Sequence, residues 1–139
     1  MNDVVLQKKA RIERCIGQIR MYYADENRPP LKDDFMRQDA IAQNVQRACE
    51  QCIDLANHTV RQQKLGLPSE SRESFRLLAE ARVIPRDLAQ TMERMVGLRN
   101  LMVHAYQQLD FDRLIDVVEN RLDDLLRFVD CIVNASDDL

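Results

Sequence analysis

Apolar residues recur every three or four positions through most of this 139-residue chain. In the second quarter they are spaced by 4, 3, 4, 3 and 4 residues, in the order Ile41, Val45, Ala48, Cys52, Leu55 and Thr59. This spacing places the side chains on one face of an α-helix, whereas a strand would need apolar and polar residues to alternate. No segment shows that alternation or an internal repeat. We therefore expect an all-α protein whose helices pack through their apolar faces.

Prolines, glycines and capping residues between the apolar stripes predict four long helices and one short helix. Aspartate and serine are typical N-caps, because their side chains accept a hydrogen bond from a free N–H group of the first turn. Long helices with short connections favour an antiparallel bundle, and we expect residues 1–139 to form a single domain. The expected helices are about residues 3–23; residues 33–64, capped by Asp33 or Asp34; a short helix capped by Ser69 or Ser71 that contains Phe75 and Leu78; residues 85–106 or 85–108, beginning at Pro85; and a fifth helix, capped by Asp110, with an apolar face of Phe111, Leu114, Val118, Leu122, Leu125, Val129 and Ile132.

The fourth of these helices carries a charged residue in its apolar stripe. Its apolar residues are again spaced by 4 and 3, but Arg99 stands where the spacing calls for leucine. Burying a guanidinium without a partner is costly. Arg99 is therefore either paired in a polar network inside the bundle, or it faces a cleft or a second chain and meets an anion there.

The same helix carries further polar residues around Arg99. At about 100° per residue, Arg99 and Tyr106 lie nearly in line, Asn100 and His104 are one turn apart, and Arg99 and His104 are separated by about 140°. Two such helices crossing at a two-fold axis would bring an arginine and a histidine from each chain around one pocket. Gly97, which weakens a helix by about 1 kcal/mol relative to alanine, would permit the close approach. We therefore expect a homodimer joined near this helix.

A known motif contains these residues. An arginine, a polar residue, three further residues and a histidine mark the HEPN superfamily, and the extended form adds a tyrosine two residues later; the matching residues are Arg99, Asn100, His104 and Tyr106. The similarity includes the Val-Gly-Leu sequence before the motif and the stretch 52–58 in the second helix, and it covers roughly residues 33–130. The chain resembles the HepT toxins of this superfamily.

The resemblance implies an all-α, dimeric endoribonuclease toxin that needs no metal or other cofactor. It also implies a partner, a minimal nucleotidyltransferase antitoxin that silences the nuclease by transferring AMP from ATP to the tyrosine of the motif. Carried onto this sequence, Arg99 and His104 are catalytic and Asn100 assists them. Tyr106 is then the acceptor of AMP. The HEPN fold also serves non-catalytic, nucleotide-binding subunits of nucleotidyltransferases, and in such an adaptor Arg99 would simply bind phosphate.

The chemistry of these side chains fits RNA cleavage. Histidine titrates near neutral pH, so it can take the proton of a ribose 2′-hydroxyl and return one to the leaving 5′-oxygen. Arginine donates a fixed fork of hydrogen bonds to phosphoryl oxygens as charge builds on them. Attack by the internal 2′-hydroxyl needs no metal, leaves a 2′,3′-cyclic phosphate and spares DNA.

The charge of the chain is unevenly distributed. The net charge is −3, but residues 107–139 carry −6, which leaves the rest of the chain at +3. Residues 72–99 contain six arginines and no lysine, and arginine suits phosphate recognition. Because four acidic residues lie among them, we interpret Arg72, Arg76 and Arg82 as part of a solvated helix face. Any RNA binding should therefore be modest and salt-sensitive.

Cys49 and Cys52 have the spacing of a metal or redox motif. The second half of a zinc site is missing, however, and Cys52 lies on an apolar stripe. We therefore interpret both as small buried residues.

The second helix also contains Asp54, Asn57 and His58. Their spacing allows a carboxylate to orient a neighbouring residue or to receive Arg99 across the bundle. Ordinary pairing on a helix surface is the alternative, and we interpret His58 as structural.

The sequence contains no membrane segment or export signal that we recognise. It has no run of about 18 apolar residues, the length that a membrane span requires. Its first residues lack the charged and then apolar order of a secretory signal. We therefore expect a cytoplasmic location.

Overall fold

The computed structural model describes residues 3–137, and every regular element in this part of the chain is helical. The prediction of an all-α protein is confirmed. The helices are α1, Asp3–Tyr23; α2, Phe35–Gln62; α3, Ser71–Glu80; α4, Arg86–His104; α5, Phe111–Asn120; and α6, Leu122–Asp137. Short 3₁₀ turns are formed by Leu31–Asp33, before α2, and by Tyr106–Gln108, after α4. None of these helices has both the length and the apolar composition that crossing a membrane requires.

The central helix is α2, against which α1, α3, α4 and α6 all pack. Its apolar stripe from Ile41 to Thr59 is buried, as the periodicity predicts. Helix α1 runs antiparallel to α2, so that Val5 at the beginning of α1 lies beside Thr59 near the end of α2. Ile132 of α6 lines the same small cavity. The bundle core therefore forms around α2.

The short helix α3 packs against α2 and α4. Phe75 and Leu78 are fully buried, which confirms the core residues expected for this helix. The ring of Phe75 meets that of Phe128 on α6 edge to face, with ring centroids 5.3 Å apart. This aromatic pair joins α3 to the far side of the bundle.

The cap of α3 differs from the prediction. Glu70, rather than Ser69 or Ser71, occupies the N-cap position, and its side chain makes no capping hydrogen bond. Ser69 instead donates from its backbone nitrogen and from Oγ to the carboxylate of Glu73, at 3.2 and 2.6 Å. The serine hydroxyl therefore binds a first-turn side chain instead of a backbone N–H group.

Asp34 begins α2 and holds the loop that connects it to α1. Its carboxylate accepts a hydrogen bond from the backbone N–H of Arg37, so it is the N-cap that the sequence predicts. The guanidinium groups of Arg28 and Arg37 also donate to it, at 2.7 and 3.1 Å. The hydrogen bond from Arg28, together with those from Arg37, lowers the pKa of Asp34 to about 2. Arg37 also donates to loop carbonyl groups, so this cluster fixes the path of the loop.

The fifth predicted helix is in fact two helices, α5 and α6. The cap is confirmed, because the carboxylate of Asp110 accepts a hydrogen bond from the N–H of Asp112 at 3.0 Å. The chain then bends at Arg121, whose N–H bonds to the carbonyl oxygen of Val117 at 2.9 Å. The bend allows both segments to pack against α1. Apolar spacing continues through it, so periodicity carries no sign of the break.

Cys49 and Cys52 lie in the core with 2% and 0% of their surfaces exposed. Burial raises the pKa of Cys49 to about 12 and raises that of Cys52 well above its usual value. Their interpretation as buried core residues is therefore confirmed. Within residues 3–137, no group of three or more histidine, cysteine or acidic side chains is arranged to hold a metal ion.

Candidate active site at the end of helix α4

The C-terminal end of α4 carries the polar residues of the motif. Pro85 occupies the N-cap position of this helix, one residue before its first helical residue, and the helix continues to His104. Its apolar stripe is buried at Leu88, Met92, Met95 and Met102. Arg99 interrupts the stripe and is only partly buried.

Arg99 lies on the side of α4 that faces α2. Burial raises the pKa of the Cys49 thiol on α2, and the charge of Arg99 acts in the opposite direction, so Arg99 lies within electrostatic range of this helix. Nε of Arg99 donates to Oδ1 of Asn100 at 2.9 Å. Within residues 3–137, no carboxylate forms an ion pair with Arg99. Of the two alternatives for this residue, the structure therefore favours a guanidinium whose charge is not neutralised inside the bundle.

His104 is the last residue of α4, and its side chain is exposed. Asn100 precedes it by one turn on the same face of the helix. Because Arg99 and His104 both lie within α4, their separation of about 140° around the helix holds. One chain therefore presents the arginine and the histidine on different faces.

Tyr106 does not lie on α4, and the prediction that this helix continues to Tyr106 or Gln108 is wrong. The chain leaves the helix at Ala105, whose backbone angles are φ −150° and ψ 48°. The turn Tyr106–Gln108 is a separate element, so Tyr106 is not in line with Arg99 as helical spacing would require. No glycine or proline lies at this point of the sequence. The helix therefore ends without a local stop signal.

The hydroxyl of Tyr106 donates a hydrogen bond to Oδ1 of Asp39 at 2.7 Å. Asp39 is exposed and lies near the beginning of α2. Partial burial, and then the hydrogen bond and charge of Asp39, raise the pKa of Tyr106 to about 12. Tyr106 nevertheless keeps 41% of its surface exposed. Sequence reasoning missed Asp39 as a site residue, because it lies 67 positions from Tyr106 and no spacing connects the two.

Asp54, the carboxylate of α2 considered as a partner of Arg99, and its neighbour Asn57 both have other partners. Asp54 pairs with Lys8 of α1 at 3.4 Å, and Asn57 accepts a hydrogen bond of 2.5 Å from a serine hydroxyl of α3. Burial lowers the pKa of His58. The suggested contact between a carboxylate of this helix and Arg99 is therefore not formed.

Gly97 lies about two turns before His104 on nearly the same face of α4, and an arginine of the same chain occupies the space beside it. A Cβ atom at this position would lie 3.1 Å from Nη2 of Arg72 on α3. Arg72 also pairs with Glu70 at 3.7 Å. It therefore covers part of α4, whereas Arg76 is exposed, as expected for a solvated helix face. Arg82 is also exposed, but it lies in the turn after α3 with a φ of 60°, so its assignment to a helix face is wrong.

Residues of the motif line some of the surface cavities but not others. One of about 620 Å³ lies between the end of α2 and the beginning of α3, and no residue of the motif lines it. Two grooves, of about 490 and 230 Å³, are both lined by Tyr106 and Asp39. The tyrosine of the motif therefore stands between two open grooves.

A helical bundle in which an arginine, a polar residue and a histidine end one helix, and a tyrosine follows it, defines a protein of the HEPN class. The family model of ribonuclease HepT-like proteins matches residues 12–132. The chain belongs to this ribonuclease HepT-like family.

Relatives at high identity support this assignment. The mRNA nuclease HepT of Shewanella oneidensis is 47% identical over 132 residues, which cover 95% of this chain and 98% of that protein. A tri-AMPylated HEPN toxin of Shewanella oneidensis, solved in complex with MNT antitoxin, gives a TM-score of 0.90 at 46% identity. The match covers 96% of this chain and 99% of the toxin chain. A toxin-antitoxin structure solved with AMP-PNP gives 0.89 at 45% identity, with coverage of 96% and 99%. The HEPN-like fold expected from the motif is confirmed.

Proposed function

We propose that this chain is the toxin of a HEPN and minimal nucleotidyltransferase pair. It is a metal-independent endoribonuclease, and transfer of AMP to Tyr106 silences it. The observation that carries the proposal is that one helix presents both a partly buried arginine and an exposed histidine, Arg99 and His104. Among the described residues, Arg99 has no carboxylate partner. The name of the Shewanella relative, an mRNA nuclease, supports RNA as the substrate.

The side chains at the end of α4 can divide the work of RNA cleavage among them. His104 is exposed and can exchange protons with the 2′-hydroxyl and the 5′-oxygen. Asn100 accepts the Nε–H of Arg99, which leaves the terminal NH₂ groups of the guanidinium for phosphoryl oxygens. Asn100 thereby positions Arg99, and Arg99 stabilises the charge of the transition state.

The proposed active form is a homodimer. Arg99 and His104 lie on different faces of α4, about 140° apart, so a single chain does not direct both at one phosphate. A two-fold axis near α4 would supply the arginine and the histidine of both chains to a shared cleft. Sedimentation is expected to show a dimer at micromolar concentration, and a stable monomer, or a dimer joined through α6, would contradict this arrangement.

Silencing follows from the position of Tyr106 beside the end of α4. An attached AMP adds bulk and a negative phosphate near the cationic residues, which would repel RNA. A HEPN toxin at 46% identity was solved tri-AMPylated and bound to MNT antitoxin, which supports a nucleotidyltransferase as the partner. A toxin-antitoxin structure at 45% identity was solved with the ATP analogue AMP-PNP, which supports ATP as the AMP donor. We propose that the pair acts in the cytoplasm, where ATP and mRNA are available.

RNA cleavage by the purified protein tests the proposal. In EDTA, wild type is expected to cut single-stranded RNA, to leave 2′,3′-cyclic phosphate ends and to spare DNA. Arg99→Ala and His104→Ala should each lower the rate by about 10²-fold or more, because general acid–base and charge-stabilising groups contribute that much. Arg94→Ala, which removes an exposed arginine from the same helix, is the matched control. Undiminished cleavage by His104→Ala would refute the mechanism, and a non-catalytic adaptor would cut no RNA at all.

Tyr106→Phe tests the silencing step. Phenylalanine keeps the ring and removes only the acceptor oxygen, so the mass increase of adenylyl groups should vanish. Growth arrest should then persist when the antitoxin is co-expressed. Tyr22→Phe and Tyr23→Phe are the controls, because these residues are the other tyrosines of the chain. Adenylylation that persists in Tyr106→Phe would place the acceptor elsewhere.

A further inference from the structure

A carboxylate contacts the oxygen atom that the proposed function makes the acceptor of AMP. The hydroxyl of Tyr106 donates to Oδ1 of Asp39 at 2.7 Å, and the two residues lie on different elements of the fold. This distance lies within the range of about 2.6–3.2 Å that a general base needs. Both residues are exposed, so a second protein carrying ATP can reach them. The hydrogen bond therefore already connects the phenol to a proton acceptor.

We propose that Asp39 is the general base for its own chain's AMPylation, taking the phenolic proton of Tyr106 as that oxygen attacks ATP. This inference rests on the proposed function, and it adds a catalytic residue that the toxin itself supplies to the antitoxin's reaction. The bond that forms joins the phenolic oxygen to the α-phosphorus. The bond that breaks joins the α-phosphorus to the oxygen bridging to the β-phosphate, and pyrophosphate leaves with that electron pair. Asp39 holds the proton until water accepts it.

The protonation state of Tyr106 explains why a base is needed. With a pKa of about 12, Tyr106 carries very little phenolate at neutral pH. The proton must therefore leave while the new bond forms, when the phenolic oxygen gives up electron density and becomes acidic. Aspartate side chains are ordinarily ionised at neutral pH and can accept it. The hydrogen bond that holds the proton on Tyr106 in the resting protein thus also provides its path of departure.

The surface beside the pair has room for the nucleotide. Asp39 and Tyr106 line the groove of about 490 Å³ together with Gln43 and Gln46 of α2. Its volume lies within the range of about 300–1,000 Å³ that is usual for small-molecule sites. Amide side chains offer both donors and acceptors to a base or a ribose. The transferred AMP can therefore lie along α2, in the groove that Gln43 and Gln46 line.

The test measures the initial rate of AMP transfer to the full-length chain by its cognate nucleotidyltransferase. Saturating ATP and saturating nucleotidyltransferase are used, so that weaker association does not enter the rate. In Asp39→Asn, the amide oxygen can still accept the hydrogen bond from Tyr106. An amide is not protonated at neutral pH, however, so it cannot act as the base. Asp39→Asn and Asp39→Ala are both expected to lower the rate by about 10²-fold or more. Asp33→Asn changes an exposed carboxylate in the turn before α2 and should keep the wild-type rate.

The outcomes separate a base from a residue that only orients the tyrosine. If Asp39→Asn keeps the wild-type rate while Asp39→Ala is slow, the carboxylate serves only to orient the hydroxyl, and the proposal is overturned. Wild-type rates in both variants overturn it as well. Partial recovery in Asp39→Glu, which restores a carboxylate, supports it. If wild type itself accepts no AMP on Tyr106, the proposed function fails, a result distinct from the loss of the base role alone.

Discussion

Gly97→Ala is expected to stabilise the protein, although the position lies in the middle of the motif helix. The added Cβ would lie 3.1 Å from Nη2 of Arg72 and from no other atom within 4 Å outside its own helix. That nitrogen is the end of a long, flexible side chain with 37% of its surface exposed, so it can move by a few tenths of an ångström at little cost. Replacing glycine by alanine in a helix interior contributes about 0.8–1.0 kcal/mol to stability. For a 139-residue chain, this corresponds to a rise of about 3 °C in the unfolding midpoint.

Gly17→Ala is the matched control for this measurement. Gly17 lies in the interior of α1, and among residues 3–137 no atom outside the neighbouring backbone of that helix lies within 4 Å of the position that its Cβ would occupy. It therefore reports the gain in helix propensity alone, and the difference between the two variants reports the cost of displacing Arg72. Thermal unfolding followed by circular dichroism, at two well-separated protein concentrations, gives both values.

A lower midpoint for Gly97→Ala than for wild type would refute the reasoning. Repeating the comparison in an Arg72→Ala background identifies the cause. If Arg72 is the neighbour that resists, the difference between Gly97→Ala and Gly17→Ala disappears in that background. If the difference remains and shrinks at low protein concentration, where the dimer dissociates, a second chain approaches Gly97, as the crossing of two α4 helices would require.

Three further outcomes follow from the structure. Cys49, with a pKa of about 12 instead of 9.0, should react with iodoacetamide at pH 8 about a thousandfold more slowly than an ordinary thiol. Mass spectrometry should show the partly buried Cys15 and Cys131 labelled before Cys49. The pKa of Asp34 is lowered from 3.8 to about 2, so its contribution to stability is present above pH 3.8 and is lost as the pH falls toward 2. Asp34→Asn should therefore unfold at lower urea than wild type at pH 7, and the gap should narrow in acid. Phe128→Ala should cost about 3–5 kcal/mol in urea unfolding, because the ring is fully buried against Phe75, and a loss below about 1 kcal/mol would contradict this packing.

Periodicity predicts the parts of the fold that local sequence determines. The stripe of α2 and the cap at Asp34 depend on residues within one helix, and both are confirmed. Two breaks in the helices have no such local signal. Apolar spacing continues through the bend at Arg121, and no glycine or proline marks the end of α4 after His104. Each break coincides with contacts between segments that are far apart in the chain: α5 and α6 both pack against α1, and Tyr106 bonds to Asp39 of α2.

The candidate site, like the fold, is only partly predictable from the sequence. The resemblance of the motif identifies Arg99, Asn100 and His104 as candidates, and their order along α4 follows from helical geometry. The sequence does not predict that Tyr106 turns toward α2 to bind Asp39, because helical spacing assigns Tyr106 to the face of Arg99. Whether Arg99 had a carboxylate partner also depended on the packing of other helices. Only the assembled bundle answers that question.

The charge of Arg99, which no carboxylate of residues 3–137 neutralises, has a consequence for the lifetime of the protein. A partly buried cation without a carboxylate partner makes the folded state less stable than a neutral side chain of similar shape would. An anion that binds there only in the folded state raises the free energy of unfolding by RT ln(1 + [L]/Kd), where [L] is the concentration of the free anion. Under the proposed function, in which Arg99 binds the phosphate of RNA, the chain is least stable when it holds no phosphate. Because cellular proteases act on transiently unfolded molecules, we expect turnover to fall most heavily on idle copies, while copies engaged with RNA persist.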